Sequence, residues 1–219
     1  MSEPSFFPPV PPAGSIDAVD VAPAATRPVW AGPPQDELPG AVALAPVIGR
    51  SATTVVSLEV VGCYSTGIVL DLTIRVRERE RISRGHLYEA LSVHHGRGHL
   101  GLLLPPGGLR FGVQFADGRR VTSLEDGPWS DLPSDVAPVE WTPSGLVVDG
   151  MDRPRVYGNT WRRALWLWPV PPPGDLTVAC LWPDRDIAET RTVVPTGPVL
   201  VACRGVRRLW ESCEEPSGI

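Results

Sequence analysis

The order of apolar and polar residues predicts β-strands over most of the chain from residue 42 onwards. The clearest pattern is Ile68–Arg77, in which large apolar residues occupy every second position. Because side chains on a strand point alternately to its two faces, this pattern predicts one core face and one solvated face. We therefore expect Leu72 in the core, where a charge would unfold the domain. We expect Thr73 on the solvated face, where substitution would have little effect.

A stretch rich in tryptophan and proline, Thr160–Pro183, is the predicted centre of the β core. It contains two apolar runs, Trp161–Trp168 and Leu176–Trp182, separated by Pro169–Gly174, in which four of the six residues are proline. Proline has no N–H to donate to a neighbouring strand and therefore tends to end strands. The stretch predicts a hairpin of two strands joined by a stiff loop, with the second strand covered on both faces.

The remaining runs bring the prediction to about nine short strands and two short helices. The other strand candidates are Val42–Ile48, Thr54–Gly62, Leu109–Ala116, Arg120–Leu124, Ser144–Asp149 and Ile187–Val194. One helix is predicted near 84–94. The other is predicted near 198–210, where apolar residues recur at helical spacing after Pro198. Short strands separated by turn residues favour a mainly β fold, either an antiparallel β-sandwich or a partly open barrel.

The composition divides the chain into a tail, one domain and a short C-terminus. Residues 1–40 hold ten of the 26 prolines, and we expect residues 1–27 to be a disordered tail rich in proline and alanine. Residues 28–213 are predicted to form a single β-rich domain, against which Trp30 anchors the first residues. Residues 214–219 are predicted to be a flexible C-terminus.

Charge, apolar run length and cysteine spacing indicate which partners and which compartment to expect. The net charge is −5, and all 20 basic residues are arginine, so we expect neither nucleic acid nor an anionic membrane as a partner. No run reaches the roughly 20 apolar residues that span a bilayer, and the N-terminus lacks the pattern of a signal peptide. We predict a cytoplasmic protein with no cofactor. The four cysteines are Cys63, Cys180, Cys203 and Cys213, and we expect free thiols in a reducing compartment and a disulfide pair only if the protein is exported.

Histidines and carboxylates provide the candidates for chemistry. His94, His95 and His99 lie close together in the sequence, but the glycines between them favour a solvated loop over a zinc site, and no nearby cysteine or carboxylate completes a ligand set. Asp184, Asp186 and Glu189 follow Trp182, where paired carboxylates would serve acid–base chemistry if a cleft held them together. A metal-dependent or carboxylate-dependent hydrolase that uses these two groups is therefore the alternative function.

Tryptophan is the most distinctive residue type, with eight copies. Exposed indoles on a β-sandwich stack on sugar rings or hold proline-rich peptides. The candidate binding residues are Trp129, Trp141, Trp166 and Trp168, and a carbohydrate-binding module is the second alternative function. Tryptophan is also a large core residue, and the strand ends and prolines beside these residues favour packing over a binding platform.

A set of motifs extends over residues 28–210. They are Trp30–Pro39, Tyr64–Gly67, Phe115–Arg119, Trp166–Gly174 and Trp182–Glu189. With this set the chain resembles a group of uncharacterised actinobacterial proteins. The resemblance implies a β-rich cytoplasmic protein and assigns no functional residue. Because the sequence shows several Trp–Pro edges and no convincing catalytic set, we expect a non-catalytic protein-interaction or structural β-sandwich protein, with a protein partner or a second copy of itself as its ligand.

Overall fold

A computed structural model describes residues 26–77, 107–151 and 154–210. The described chain is mainly β, with antiparallel sheets. Its strands, in chain order, are β1 Glu37–Leu38, β2 Gly40–Ala43, β3 Val47–Arg50, β4 Thr54–Cys63, β5 Ile68–Val76, β6 Arg110–Gln114, β7 Arg120–Thr122, β8 Val147–Gly150, β9 Arg155–Tyr157, β10 Thr160–Trp168, β11 Asp175–Trp182, β12 Ile187–Pro195 and β13 Arg207–Arg208. The helices are α1 Pro128–Asp131 and α2 Gly197–Arg204, with a 3-10 turn at Pro183–Arg185.

The larger sheet has seven strands, and β4, β5 and β10 form its middle. Its main path runs β2-β4-β5-β10-β8, while β3 also pairs with β4 and β9 also pairs with β10. In β5 the residues that alternate in the sequence do alternate in space, and Leu70, Leu72 and Ile74 are all buried. The register Leu165 with Leu70 places apolar residues of β10 on the same inner face.

The smaller sheet has four strands in the order β12-β11-β6-β7. Its inner face contributes Phe111, Val113, Leu176 and Val178, which are 2% exposed or less. These side chains share one apolar cluster with the inner face of the larger sheet. The molecule is therefore an antiparallel β-sandwich, and in the part of the chain that the structure describes neither sheet closes into a barrel.

The predicted hairpin at Thr160–Pro183 is wrong, although both of its strands exist. Strand β10 pairs with β5 on one side and with β8 and β9 on the other. Strand β11 pairs instead with β12 and β6 in the smaller sheet. Since both edges of β10 are already occupied, the proline-rich loop carries the chain from one layer of the sandwich to the other.

Thr73 is also a correction, because this threonine is 0% exposed. It lies on the outer face of the larger sheet, where its Cα partners are Arg162 and Ser57. Glu59 pairs with both Arg75 and Arg162 across this face. Long charged side chains cover apolar and polar surface with their stems, so this network removes Thr73 from water without making the face apolar.

The C-terminal helix is confirmed, but it is shorter than predicted. Helix α2 ends at Arg204, and Gly205 follows as its C-cap. The chain then forms β13, which pairs with β1 in a separate two-stranded sheet. Glycine favours helix termination, and pairing with β1 supplies the hydrogen bonds that a longer helix would have made.

Of the remaining predictions, one strand is corrected and three segments lie wholly or largely outside the described residues. The strand candidate Val42–Ile48 is interrupted at Ala45, whose φ of 46° is left-handed, and at Pro46, so that two strands replace one. The helix near 84–94 lies outside the described residues. The same holds for residues 1–25 of the predicted tail and for 214–219.

Candidate binding surface

The outer face of the smaller sheet carries a cavity of about 330 Å³. We call it the outer groove. It is bordered by small side chains and by four charged ones, and its principal residues are Gly112, Thr122, Thr177, Ala179, Arg110, Arg120, Glu189 and Arg191. Arg120 is exposed, whereas Thr177 and Ala179 are half-buried. The groove is therefore accessible from the outside of the sandwich.

Strand register explains why a depression forms on this face. Ala179 of β11 has Gly112 of β6 and Arg191 of β12 as its Cα partners, and Gly112 in turn has Thr122 of β7. One row across the sheet therefore runs Thr122, Gly112, Ala179, Arg191. Its two central members have almost no side chain, so the floor is low while the neighbouring residues rise around it.

The same register places charge at the margins of the groove. Thr177 pairs with Gln114, which pairs with Arg120, and Leu181 pairs with Arg110 at the other end. The groove has three arginines and one glutamate, in a protein whose net charge is −5.

Two of these four charged residues, Glu189 and Arg191, pair with each other. The Arg191 guanidinium bonds to the Glu189 carboxylate at 3.0 Å, with both side chains more than half exposed. Exposed pairs of this kind contribute about 0–1 kcal/mol to stability, so either partner can exchange for a ligand group at little cost. The groove is therefore a positively charged patch with an adaptable rim.

A second cavity of about 280 Å³ lies on the outer face of the larger sheet and includes Asp71 and Arg162. Burial raises the pKa of the Asp71 carboxyl, and the nearby Arg162 opposes that shift. Arg162 already forms an ion pair with Glu59 at 2.7 Å. Because acidic and basic groups in this cavity interact with one another, we expect it to bind a charged ligand less well than the outer groove does.

Four of the eight tryptophans pack around Trp30, which anchors the N-terminal segment as predicted and is 1% exposed. The Trp30 indole N–H donates to the carbonyl oxygen of Trp141 at 2.9 Å. The ring centroids of Trp30 and Trp129 are 4.6 Å apart at 60°, and those of Trp30 and Trp141 are 5.4 Å apart at 85°. Edge-to-face packing of this kind joins chain segments and contributes cohesion.

The predicted binding tryptophans therefore separate into two groups. Trp166 is 0% exposed, and its indole N–H donates to the carbonyl oxygen of Trp30 at 3.1 Å, so no ligand can stack on it in this structure. Trp141 and Trp168 are half-buried against the Trp30 cluster, while Trp129 is 39% exposed. The binding role proposed for these three rings stays a prediction.

The three candidate carboxylates have three different local roles. Asp184 follows the end of β11, and its backbone N–H donates to the carbonyl oxygen of Gly107 at 3.0 Å. Asp186 has a left-handed φ of 53° at the end of the 3-10 turn, and Glu189 pairs with Arg191. This arrangement gives no support to a shared acid–base site.

The metal candidates His94, His95 and His99 lie outside the described residues. Within residues 26–77, 107–151 and 154–210, no group of three or more histidines, cysteines or carboxylates is arranged to hold a metal ion. None of the helices in those ranges is long and apolar enough to cross a membrane.

The sequence contained a signal for the outer groove that strand prediction alone passes over. Gly112 is a glycine inside a strand, where it marks close approach or missing side-chain volume. Ala179 lies on the outer face of β11, between Thr177 and Leu181. That these two residues face each other depends on the pairing of β6 with β11, which are far apart in sequence.

Comparison of the chain with protein-family models, with curated proteins and with solved structures found no match.

Proposed function

We propose that this is a non-catalytic binding protein of the cytoplasm, which holds an extended acidic segment of a partner protein in the outer groove. The observation that carries the proposal is the combination of a low floor at Gly112 and Ala179 with arginine at the margins. A cleft lined by one sign of charge concentrates ligands of the opposite sign.

The shape of the groove favours a peptide over a small molecule. Small-molecule sites enclose most of the surface of their ligand, whereas this groove lies on the outside of a sheet and has exposed residues on its rim. The low floor formed by the paired residues Gly112 and Ala179 leaves room for an extended backbone. Its carboxylates then reach Arg120 on one side and Arg191 on the other, and electrostatic complementarity of this kind gives orientation and specificity.

The cytoplasmic location is supported by the thiols. Cys63, Cys180 and Cys203 are free, as expected in a reducing compartment. Burial raises the pKa of the Cys180 thiol to about 12, so this cysteine is an inert member of the core.

The test is selection from a random nine-residue peptide library, followed by affinity measurement with the selected peptides. We expect enrichment of Asp and Glu, and binding that weakens as NaCl is raised from about 50 to 300 mM because salt screens the contacts. Ala179→Glu, which fills and recharges the floor, and Arg120→Glu should each weaken binding at least tenfold. Arg207→Glu on β13, an exposed strand that contributes no residue to the groove, makes the same charge change and should bind as the unmodified chain does.

Two results would overturn the proposal. One is a selected peptide set without acidic bias. The other is binding that Ala179→Glu leaves unchanged in a folded variant. Sedimentation measured in parallel distinguishes the competing occupant, a second copy of this chain, because a dimer that Ala179→Glu dissociates would replace the peptide as the ligand.

A further inference from the structure

Two cysteines that are 140 positions apart in sequence meet at the end of the sandwich. Cys63 is the last residue of β4, is 0% exposed and belongs to the main core. Cys203 lies on helix α2, and its half-buried side chain packs against the same core. Helix α2 contacts β4 as well as β2, and the two thiols lie close enough that each changes the pKa of the other.

The backbone is built for this contact. Gly40 of β2 is the Cα partner of Cys63, and a Cβ added to Gly40 would lie 2.6 Å from the carbonyl oxygen of Ala202. Helix α2 therefore rests directly on the backbone of β2, one residue before Cys203. A side chain at position 40 would push the helix, and with it the Cys203 thiol, away from Cys63.

The two thiols are chemically unequal. The pKa of the Cys203 thiol is lowered, mainly by its hydrogen bond with Cys63 and further by a backbone hydrogen bond at Tyr64, against opposing contributions from burial and Glu37. The same hydrogen bond and burial raise the pKa of the Cys63 thiol. Cys203 is thus the nucleophile of the pair, because it is half-buried whereas Cys63 is 0% exposed, and because a lower pKa favours the reactive thiolate form.

We propose that Cys203 and Cys63 form a peroxide-reactive dithiol site, in which Cys203 is oxidised first and Cys63 resolves it to an intramolecular disulfide. Half-burial leaves the Cys203 sulfur accessible to a molecule as small as hydrogen peroxide. Cys63 is buried in the core next to Cys203, where peroxide does not reach it directly.

The reaction is a balanced two-electron oxidation. The Cys203 thiolate attacks one peroxide oxygen, an S–O bond forms, the O–O bond breaks, and the departing hydroxide takes the proton of the original thiol to become water. The Cys63 sulfur then attacks the sulfenic sulfur of Cys203. An S–S bond forms, the S–O bond breaks, and the hydroxyl leaves with the Cys63 proton as a second water. The two thiols are oxidised and the peroxide is reduced.

The disulfide would fasten helix α2 to β4 and close a long loop of the chain. Closing a long loop restricts the unfolded chain, so oxidation should raise the Tm by roughly 10 °C in a protein of this size. The site therefore links the redox state of the surroundings to how firmly the C-terminal part of the fold is held.

The experiment treats the reduced full-length protein with a small excess of hydrogen peroxide, alkylates the remaining thiols after unfolding, and maps the peptides without reduction. We expect a peptide pair joined through Cys63 and Cys203, two fewer alkylated thiols, and a higher Tm that dithiothreitol reverses. Cys63→Ser should stop at a sulfenic acid on Cys203 that dimedone traps. Cys203→Ser should leave Cys63 reduced.

Cys213→Ser is the matched control, because it removes the other thiol near Cys203 in sequence and should give the same disulfide as the unmodified chain. If Cys63→Ser does not fold, Cys203→Ser and the peptide map of the unmodified chain still decide the question. Recovery of Cys63 and Cys203 as alkylated thiols, a disulfide to Cys213 instead, or direct conversion of Cys203 to sulfinic acid would each overturn the proposal.

Discussion

At the scale of single residues, Thr73 shows how burial can arise on a face that reads as solvated. The alternation of β5 places it opposite the core, yet it is 0% exposed. Its hydroxyl oxygen has no hydrogen-bond partner among the described residues. The strand determines which way the side chain points. The side chains of Glu59, Arg75 and Arg162, held by their ion pairs, shield it from solvent.

This burial predicts opposite outcomes for two substitutions of similar size. Thr73→Val removes an unpaired hydroxyl and should leave the free energy of unfolding unchanged or raise it by up to about 1 kcal/mol. Thr73→Asp buries a carboxylate next to Arg162, which is already paired with Glu59, and should lower it by roughly 3 kcal/mol or more. Urea unfolding followed by circular dichroism measures both. Equal stability of the two variants would show that position 73 is solvated after all.

At the scale of elements, the position of helix α2 depends on one glycine. Gly40 allows the helix backbone at Ala202 to approach β2 closely, and Val199 reaches the core from the first turn of the helix. The helix buries little else, so its docking rests on these contacts together with the Cys63–Cys203 pair.

Gly40→Ala should therefore loosen α2 specifically. The added Cβ meets the Ala202 carbonyl oxygen at 2.6 Å, and overpacking of this kind costs about 1–3 kcal/mol. Hydrogen exchange should be faster at the amides of Leu200–Gly205 than in the unmodified chain, and the Tm should fall. Gly145→Ala is the control, because a Cβ there meets nothing within 4 Å. A Gly40→Ala variant that exchanges no faster than Gly145→Ala would contradict this account.

The proline-rich connection illustrates which properties of an element are local. Pro169 and Pro183 do end strands β10 and β11, as the missing N–H of proline requires. The partners of those strands could not be read from the same residues, because pairing depends on which strand edges other parts of the chain leave open. Here β5, β8 and β9 occupy both edges of β10.

At the scale of the whole molecule, the two sheets depend on one shared core. Trp161 from the larger sheet and Trp182 from the smaller one are each 3% exposed and belong to the same apolar cluster. Removing either layer would expose the inner face of the other, at about 25 cal/mol for each Å² of apolar surface. Neither sheet is therefore expected to persist alone.

The molecule should accordingly unfold in a single transition. Tryptophan fluorescence, which reports mainly on packed indoles, and far-ultraviolet circular dichroism, which reports on strands, should give the same urea midpoint and slope. The calorimetric and van't Hoff enthalpies should agree for the reduced protein. Two separated transitions would mean that the layers are independent units.

The sequence by itself determined the mainly β class, most of the longer strands and their inward-facing residues. These follow from the two-residue alternation and from proline, which act within a few residues of chain. Only the tertiary structure decided the layer to which β10 and β11 belong, the burial of Thr73, the outer groove at Gly112 and Ala179, and the contact between Cys63 and Cys203. Each of these requires residues far apart in sequence to become neighbours, and that proximity comes from strand pairing and layer packing over the entire domain.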